Sequence, residues 1–83
     1  MTQDLQDFLD FVPSEDWIKM MNTIRRGRYY KRQEDLDYAN DLLIPYLVAY
    51  GVWDGNEGLP IDSDFCDELW DYIKIITDEP ERF

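Results

Sequence analysis

Apolar residues recur at helical spacing through most of the chain. Leu5, Phe8, Leu9 and Val12 fall at i, i+3, i+4 and i+7, which is one face of a helix over residues 2–12. Asp4, Asp7 and Asp10 occupy its other faces, Thr2 is placed to cap its start, and Pro13 stops it. A second helix is predicted over 14–26, with Trp17, Met20, Met21 and Ile24 as its apolar stripe. Ser14 suits its N-cap. Glu15 and Asp16 stand in its first turn and Arg25 and Arg26 in its last, where the helix dipole favours each sign. Gly27 is the expected C-terminal stop.

A third helix is expected from Gln33 or Glu34 to Tyr50, ended by Gly51. Leu36, Ala39, Leu43, Leu47 and Tyr50 line one face of it, and Tyr38, Leu42 and Ala49 add a second. From Leu42 onward the segment is apolar nearly all round, which predicts a central position. Pro45 removes a backbone donor inside it and should kink the helix or split it near Ile44. Residues 52–61 carry turn chemistry, with Trp53 and Ile61 expected to pin them to the core. Asp62, Ser63 or Asp64 then caps a last helix whose stripe is Phe65, Leu69, Tyr72, Ile73 and Ile76; Pro80 lies beyond its end, and the closing Glu81-Arg82-Phe83 is expected to fray. No sustained alternation or hairpin dipeptide suggests strands. The pattern predicts an all-α fold, a compact single-domain bundle of about four helices over residues 1–83 with the kinked third helix as its hub.

Composition narrows the functional classes. The chain has 83 residues, of which 45% are hydrophobic and 16% aromatic, too apolar for a disordered tail despite its charge. A domain of this size buries only about 60% of the surface its unfolded chain exposes, so the aromatic side chains matter to its stability. Cys66 is the sole cysteine and forms no internal disulfide. With no basic-then-apolar start, and an apolar run from Leu42 to Tyr50 far short of the roughly 20 residues of a membrane span, a soluble cytoplasmic protein is expected. The net charge of −11 argues against direct binding to nucleic acid or a membrane surface.

Catalytic chemistry finds few parts here. The chain has no histidine, which removes the commonest general base and metal ligand. No phosphate-binding glycine loop is present. Asp54-Gly55-Asn56 begins like a calcium loop, but Gly58, Leu59 and Phe65 occupy the positions that need a ligand, a glycine and a glutamate. Asp62, Asp64 and Asp67 read more simply as the cap and first turns of a helix than as a cation site. Cys66 beside Asp67 and Glu68 reads as a small buried hydrophobe. No enzyme, cofactor or metal is expected.

Two surfaces remain as candidates for binding. Arg25, Arg26, Arg28, Lys31 and Arg32 are five of the eight cations, leaving nineteen acids against three cations elsewhere. Interleaved with Tyr29 and Tyr30, the basic cluster suits a protein contact, a nucleic-acid contact or merely a solvated turn. The acids form the second surface. Asp62, Asp64, Asp67, Glu68 and Asp71 lie on the fourth helix, and Asp35, Asp37 and Asp41 open the third. Acids every three residues, as at Asp4, Asp7 and Asp10, stand about 4.5 Å apart along a helix axis, against about 3.4 Å between phosphates of a DNA strand. Such an array can imitate phosphates in the cationic groove of a nucleic-acid-binding protein. Ordinary solvated helix faces have the same composition.

In its size, its acidity and its lack of catalytic residues, the chain resembles the small inhibitor proteins that bacteriophages direct against host nucleases, such as anti-CRISPR and anti-restriction proteins. The resemblance implies a non-enzymatic inhibitor whose partner is a protein with a basic nucleic-acid-binding surface. No residue is carried over from the resemblance; on carboxylate density along the helices, Asp62, Asp64, Asp67, Glu68 and Asp71 are expected to carry that contact first, with Asp35, Asp37 and Asp41 second. The alternative is a helical adaptor or regulatory subunit anchored by Arg25, Arg26, Arg28, Tyr29 and Tyr30.

Overall fold

Four helices in sequence, α1 (Gln3–Phe11), α2 (Ser14–Tyr29), α3 (Gln33–Tyr50) and α4 (Ser63–Ile76), make up the computed structural model, which describes residues 2–78. The expectations for Pro80 and for Glu81-Arg82-Phe83 fall outside those residues. α2 packs chiefly along α3, and α1 along α4. No described helix is long and apolar enough to cross a membrane.

α1 forms as its spacing predicts. Thr2 caps it, its hydroxyl accepting from the Leu5 N–H at 3.3 Å. Leu5, Phe8 and Val12 are buried. The Phe8 ring stands edge-on to Tyr50 and Phe65, with centroids 5.2 and 5.6 Å away, and so joins α1 to α3 and α4.

α2 departs from expectation at both ends. Pro13, and not Ser14, occupies its N-cap, and no side chain caps it there. At the other end the helix runs through Gly27 to Tyr29. Gly27 is buried inside the helix because Leu36 of α3 lies over it: a Cβ there would stand 2.8 Å from Leu36 Cδ2 and 3.2 Å from the Arg32 carbonyl. The left-handed residue that ends the helix is Lys31, at φ 55°. Arg32 N–H then reaches back to the Gly27 carbonyl at 2.8 Å, the long hydrogen bond of a Schellman turn. α2 and α3 are thereby folded into a tight antiparallel pair.

α3 is unbroken from Gln33 to Tyr50, so Pro45 does not split it. Pro45 and Asp41 are both exposed, and water can serve the Asp41 carbonyl that lacks a proline N–H. The helix is not buried all round. Ala39, Leu43 and Leu47 are its fully buried residues, while Val48 and Ala49 face outward. A four-helix domain of this size has too little material to surround any one helix. Gly51 closes α3 at φ 89°, and Val52 N–H bonds the Leu47 carbonyl at 3.1 Å.

The connection to α4 is tied at its base. The Val52 carbonyl accepts from the N–H groups of Ile61 at 2.9 Å and Asp62 at 3.3 Å, and the Cys66 thiol lies 3.8 Å from it. Trp53 pairs with Pro60 and is partly buried against the core, as predicted, whereas Ile61 is 65% exposed and pins nothing. The Ile61 backbone is consumed by Val52, which leaves its side chain outside. Asp62 is the cap of α4, accepting from the Phe65 N–H at 3.0 Å. Phe65, Cys66, Leu69 and Ile73 are buried, with Tyr72 and Ile76 partly so. Trp70, like Trp53, packs partly buried against the core.

Candidate functional site: acidic faces and a basic turn

The α4 carboxylates divide into two groups by what they already hold. Asp62 caps the helix. Glu68 ties α4 to the start of α1, accepting from the Thr2 N–H and hydroxyl at 3.1 Å each. Asp64, Asp67 and Asp71 are exposed, and no described cation pairs with them. Asp4, Asp62, Asp64 and Glu68 share a shallow cleft with Thr2 and Phe65. Among the described residues, no group of three or more acidic, cysteine or histidine side chains is arranged to hold a metal ion.

The α3 acids lie on the other helix pair. Asp35 forms an ion pair with Arg32 at 3.3 Å, and Asp37 accepts from the Gln33 side chain at 3.0 Å. Asp41 lines a concavity between α2 and α3 with Asp16, Leu42, Pro45 and Tyr46. Among the described residues, the two acid sets singled out in the sequence lie on different helix pairs and share no hydrogen bond. Acids absent from both sets stand by two tyrosines of α3: Asp16 by Tyr46, and Asp4 and Asp7 by Tyr50. Tyr46 donates to the Asp16 carboxylate, and that bond, then burial and then the Asp16 charge push its hydroxyl pKa up. Tyr50 donates to the Asp4 carbonyl at 3.2 Å, and its pKa is raised by burial and by the charges of Asp7 and Asp4.

The basic turn is largely occupied. Arg25 donates through Nε and Nη2 to the Ile76 carbonyl at 3.3 and 3.0 Å, and through Nη1 to Asn22 at 2.9 Å. Arg28 donates through Nη1 to the Lys74 carbonyl at 2.7 Å and the Thr77 hydroxyl at 3.0 Å, and pairs with Asp78 at 3.4 Å. Two guanidinium groups thus hold the last carbonyls of α4, where a helix end leaves acceptors unfilled and favours positive charge. Arg32 pairs with Glu34 and Asp35. Arg26, Tyr29, Tyr30 and Lys31 remain outward, the two tyrosine rings edge-to-face at 4.8 Å.

Sequence reasoning missed the capping role of Arg25 and Arg28. The available signal was the end of α4 itself, Ile75-Ile76-Thr77-Asp78, which has no glycine to close it and so needs donors from elsewhere. It also missed the joining of Phe11 to Tyr46 and Tyr50, which depends on how α1 crosses α3. Cys66 is buried as expected; burial, then Asp62 and Asp67, push its thiol pKa above the ordinary value. The arrangement offers fixed negative charge and aromatic surface, the materials of binding. Comparison with family models, with curated proteins and with solved structures finds no match for this chain.

Proposed function

We propose that the protein is a cytoplasmic, non-enzymatic inhibitor of the phage anti-CRISPR or anti-restriction type, which presents carboxylates to the basic groove of a nucleic-acid-binding protein and blocks substrate access. The observation that carries this reading is the row Asp64, Asp67 and Asp71 on α4, exposed and unpaired among the described residues, on a chain of net charge −11. Carboxylates on a rigid helix lose little entropy on docking and attract a cationic groove from a distance. Asp62 and Glu68 belong to the same surface but also hold the fold, so they are poor probes of binding.

The test is capture from source-cell lysate on the immobilised protein, with elution by short duplex DNA. A nucleic-acid-binding protein that is released by DNA and by salt, and is not captured by Asp64→Lys/Asp67→Lys/Asp71→Lys, supports the proposal. Captured proteins indifferent to DNA, salt and the triple substitution overturn it. The alternative, an adaptor, is favoured by one observation: Tyr29 and Tyr30 are 58% and 61% exposed beside Arg26 and Lys31. Tyrosine and arginine are common anchors of protein interfaces. On that reading, Tyr29→Ala/Tyr30→Ala abolishes capture and the α4 substitutions do not.

A further inference from the structure

The edge where α1 meets α3 has a character that neither charge cluster in the sequence announces. Phe11 is 45% exposed, one helical turn from fully buried Phe8. Its ring centroid lies 6.5 Å from that of Tyr46 and 5.5 Å from that of Tyr50. Both tyrosines are partly buried, and both hydroxyls are tied, to Asp16 and to the Asp4 carbonyl. The rings are therefore held in place before anything binds, and little side-chain freedom is left to lose.

Carboxylates surround these rings. Asp16 is bonded to Tyr46, Asp7 stands one helical turn before Phe11 on α1 and so shares its side of the helix, and Asp41 and Asp16 line a concavity of ≈ 250 Å³ beside Tyr46. Among the described residues, Lys19 is the cation lining that concavity, and its ammonium lies over the Tyr38 ring, 5.7 Å from the centroid. Aromatic faces bordered by acids suit a guanidinium better than an ammonium. A guanidinium is planar and weakly hydrated, so it can stack on a ring while its edge donates to carboxylates.

We propose that the Phe11, Tyr46 and Tyr50 face, rimmed by Asp7, Asp16 and Asp41, is the docking surface for an arginine-bearing segment of a basic partner protein. This rests on the reading of the protein as an acidic ligand for a cationic surface, and adds where the contact is centred and which cation it selects. The α4 carboxylates then serve the approach of the partner, an effect of longer range and greater salt sensitivity.

Deca-arginine and deca-lysine, equal in charge, titrated calorimetrically into the full chain at low ionic strength, test the proposal. Deca-arginine is expected to bind about 5-fold tighter, and Phe11→Ala to cut that ratio roughly 2- to 5-fold with little change for deca-lysine. Asp7→Asn/Asp16→Asn is expected to weaken deca-arginine binding more than Asp67→Asn/Asp71→Asn, which changes net charge equally. Equal losses from the two pairs, or an arginine preference untouched by Phe11→Ala in a variant with wild-type circular dichroism and melting, overturn the docking face and leave the acidic-ligand reading standing. Failure of both peptides to bind the unmodified protein removes the docking face and the acidic-ligand reading together.

Discussion

The end of α2 with its turn into α3 and the exposed side of α4 are the most highly charged stretches of the chain, and three of the five cations in the first are engaged within the fold while the α4 aspartates face water. Arg25 and Arg28 reach inward to the carbonyls of Ile76 and Lys74, and Arg32 to Glu34 and Asp35. Asp64, Asp67 and Asp71 reach outward to water. Both stretches look equally available in the sequence. The difference follows from length and geometry: an arginine stem spans the distance between packed helices, while an aspartate on a helix surface reaches only its own turn. A charge cluster in a sequence therefore bounds what a surface can attract only after the long side chains are assigned their partners.

The comparison fails if the arginines hold nothing. Arg25→Ala with Arg28→Ala is expected to lower stability by about 2–3 kcal/mol, below the full value of charged hydrogen bonds because Arg28 is partly solvated. Urea unfolding measures it, and a loss under about 0.5 kcal/mol would make the turn as dispensable as any surface. Next in size is Gly27→Val, which places side-chain atoms where Leu36 already lies; about 2 kcal/mol of destabilisation is expected, read from the shift in urea midpoint.

Lys31→Gly sharpens the contrast within the turn. Lys31 holds a left-handed conformation that glycine adopts freely, so the substitution should stabilise the domain by about 0.5–1 kcal/mol while removing a cation. A loss of stability would mean that the Lys31 charge is itself structural. The smallest effect belongs to α4. Asp64→Asn, Asp67→Asn and Asp71→Asn should each change stability by less than about 0.5 kcal/mol, and the triple variant should gain less from added salt than the unmodified protein does. Thermal melts at low and moderate sodium chloride check both.

Helix existence was legible because the apolar spacing is strict: Leu5, Phe8 and Val12 are buried as that spacing requires. Boundaries were less so. Gly27 carries the local signature of a helix stop, but a glycine also permits close helix contact, and only the position of Leu36 decides between the two. Pro45 carries the local signature of a break, yet Pro45 and Asp41 lie on an exposed side of α3 and the helix continues. The acids were legible as residues and not as sites. Asp62 could be read as a cap from its place before Phe65, whereas the tie from Glu68 to Thr2 spans nearly the whole chain and leaves no local trace. Phe11 reads as one more apolar residue of α1 until α3 is laid beside it.

The carbonyl of Val52 closes the 53–60 excursion at its root, through Ile61 and Asp62. What lies beyond that closure is topologically a side branch: Asn56 and Glu57 are exposed and bear on neither α3's end nor α4's cap. For a closed branch, doubling the length costs only about 0.6 kcal/mol of closure entropy. The Asn56–Glu57 bond is thus a natural place to graft an epitope, a fluorophore-binding peptide or a second binding module, giving the domain a handle whose attachment disturbs neither charged surface.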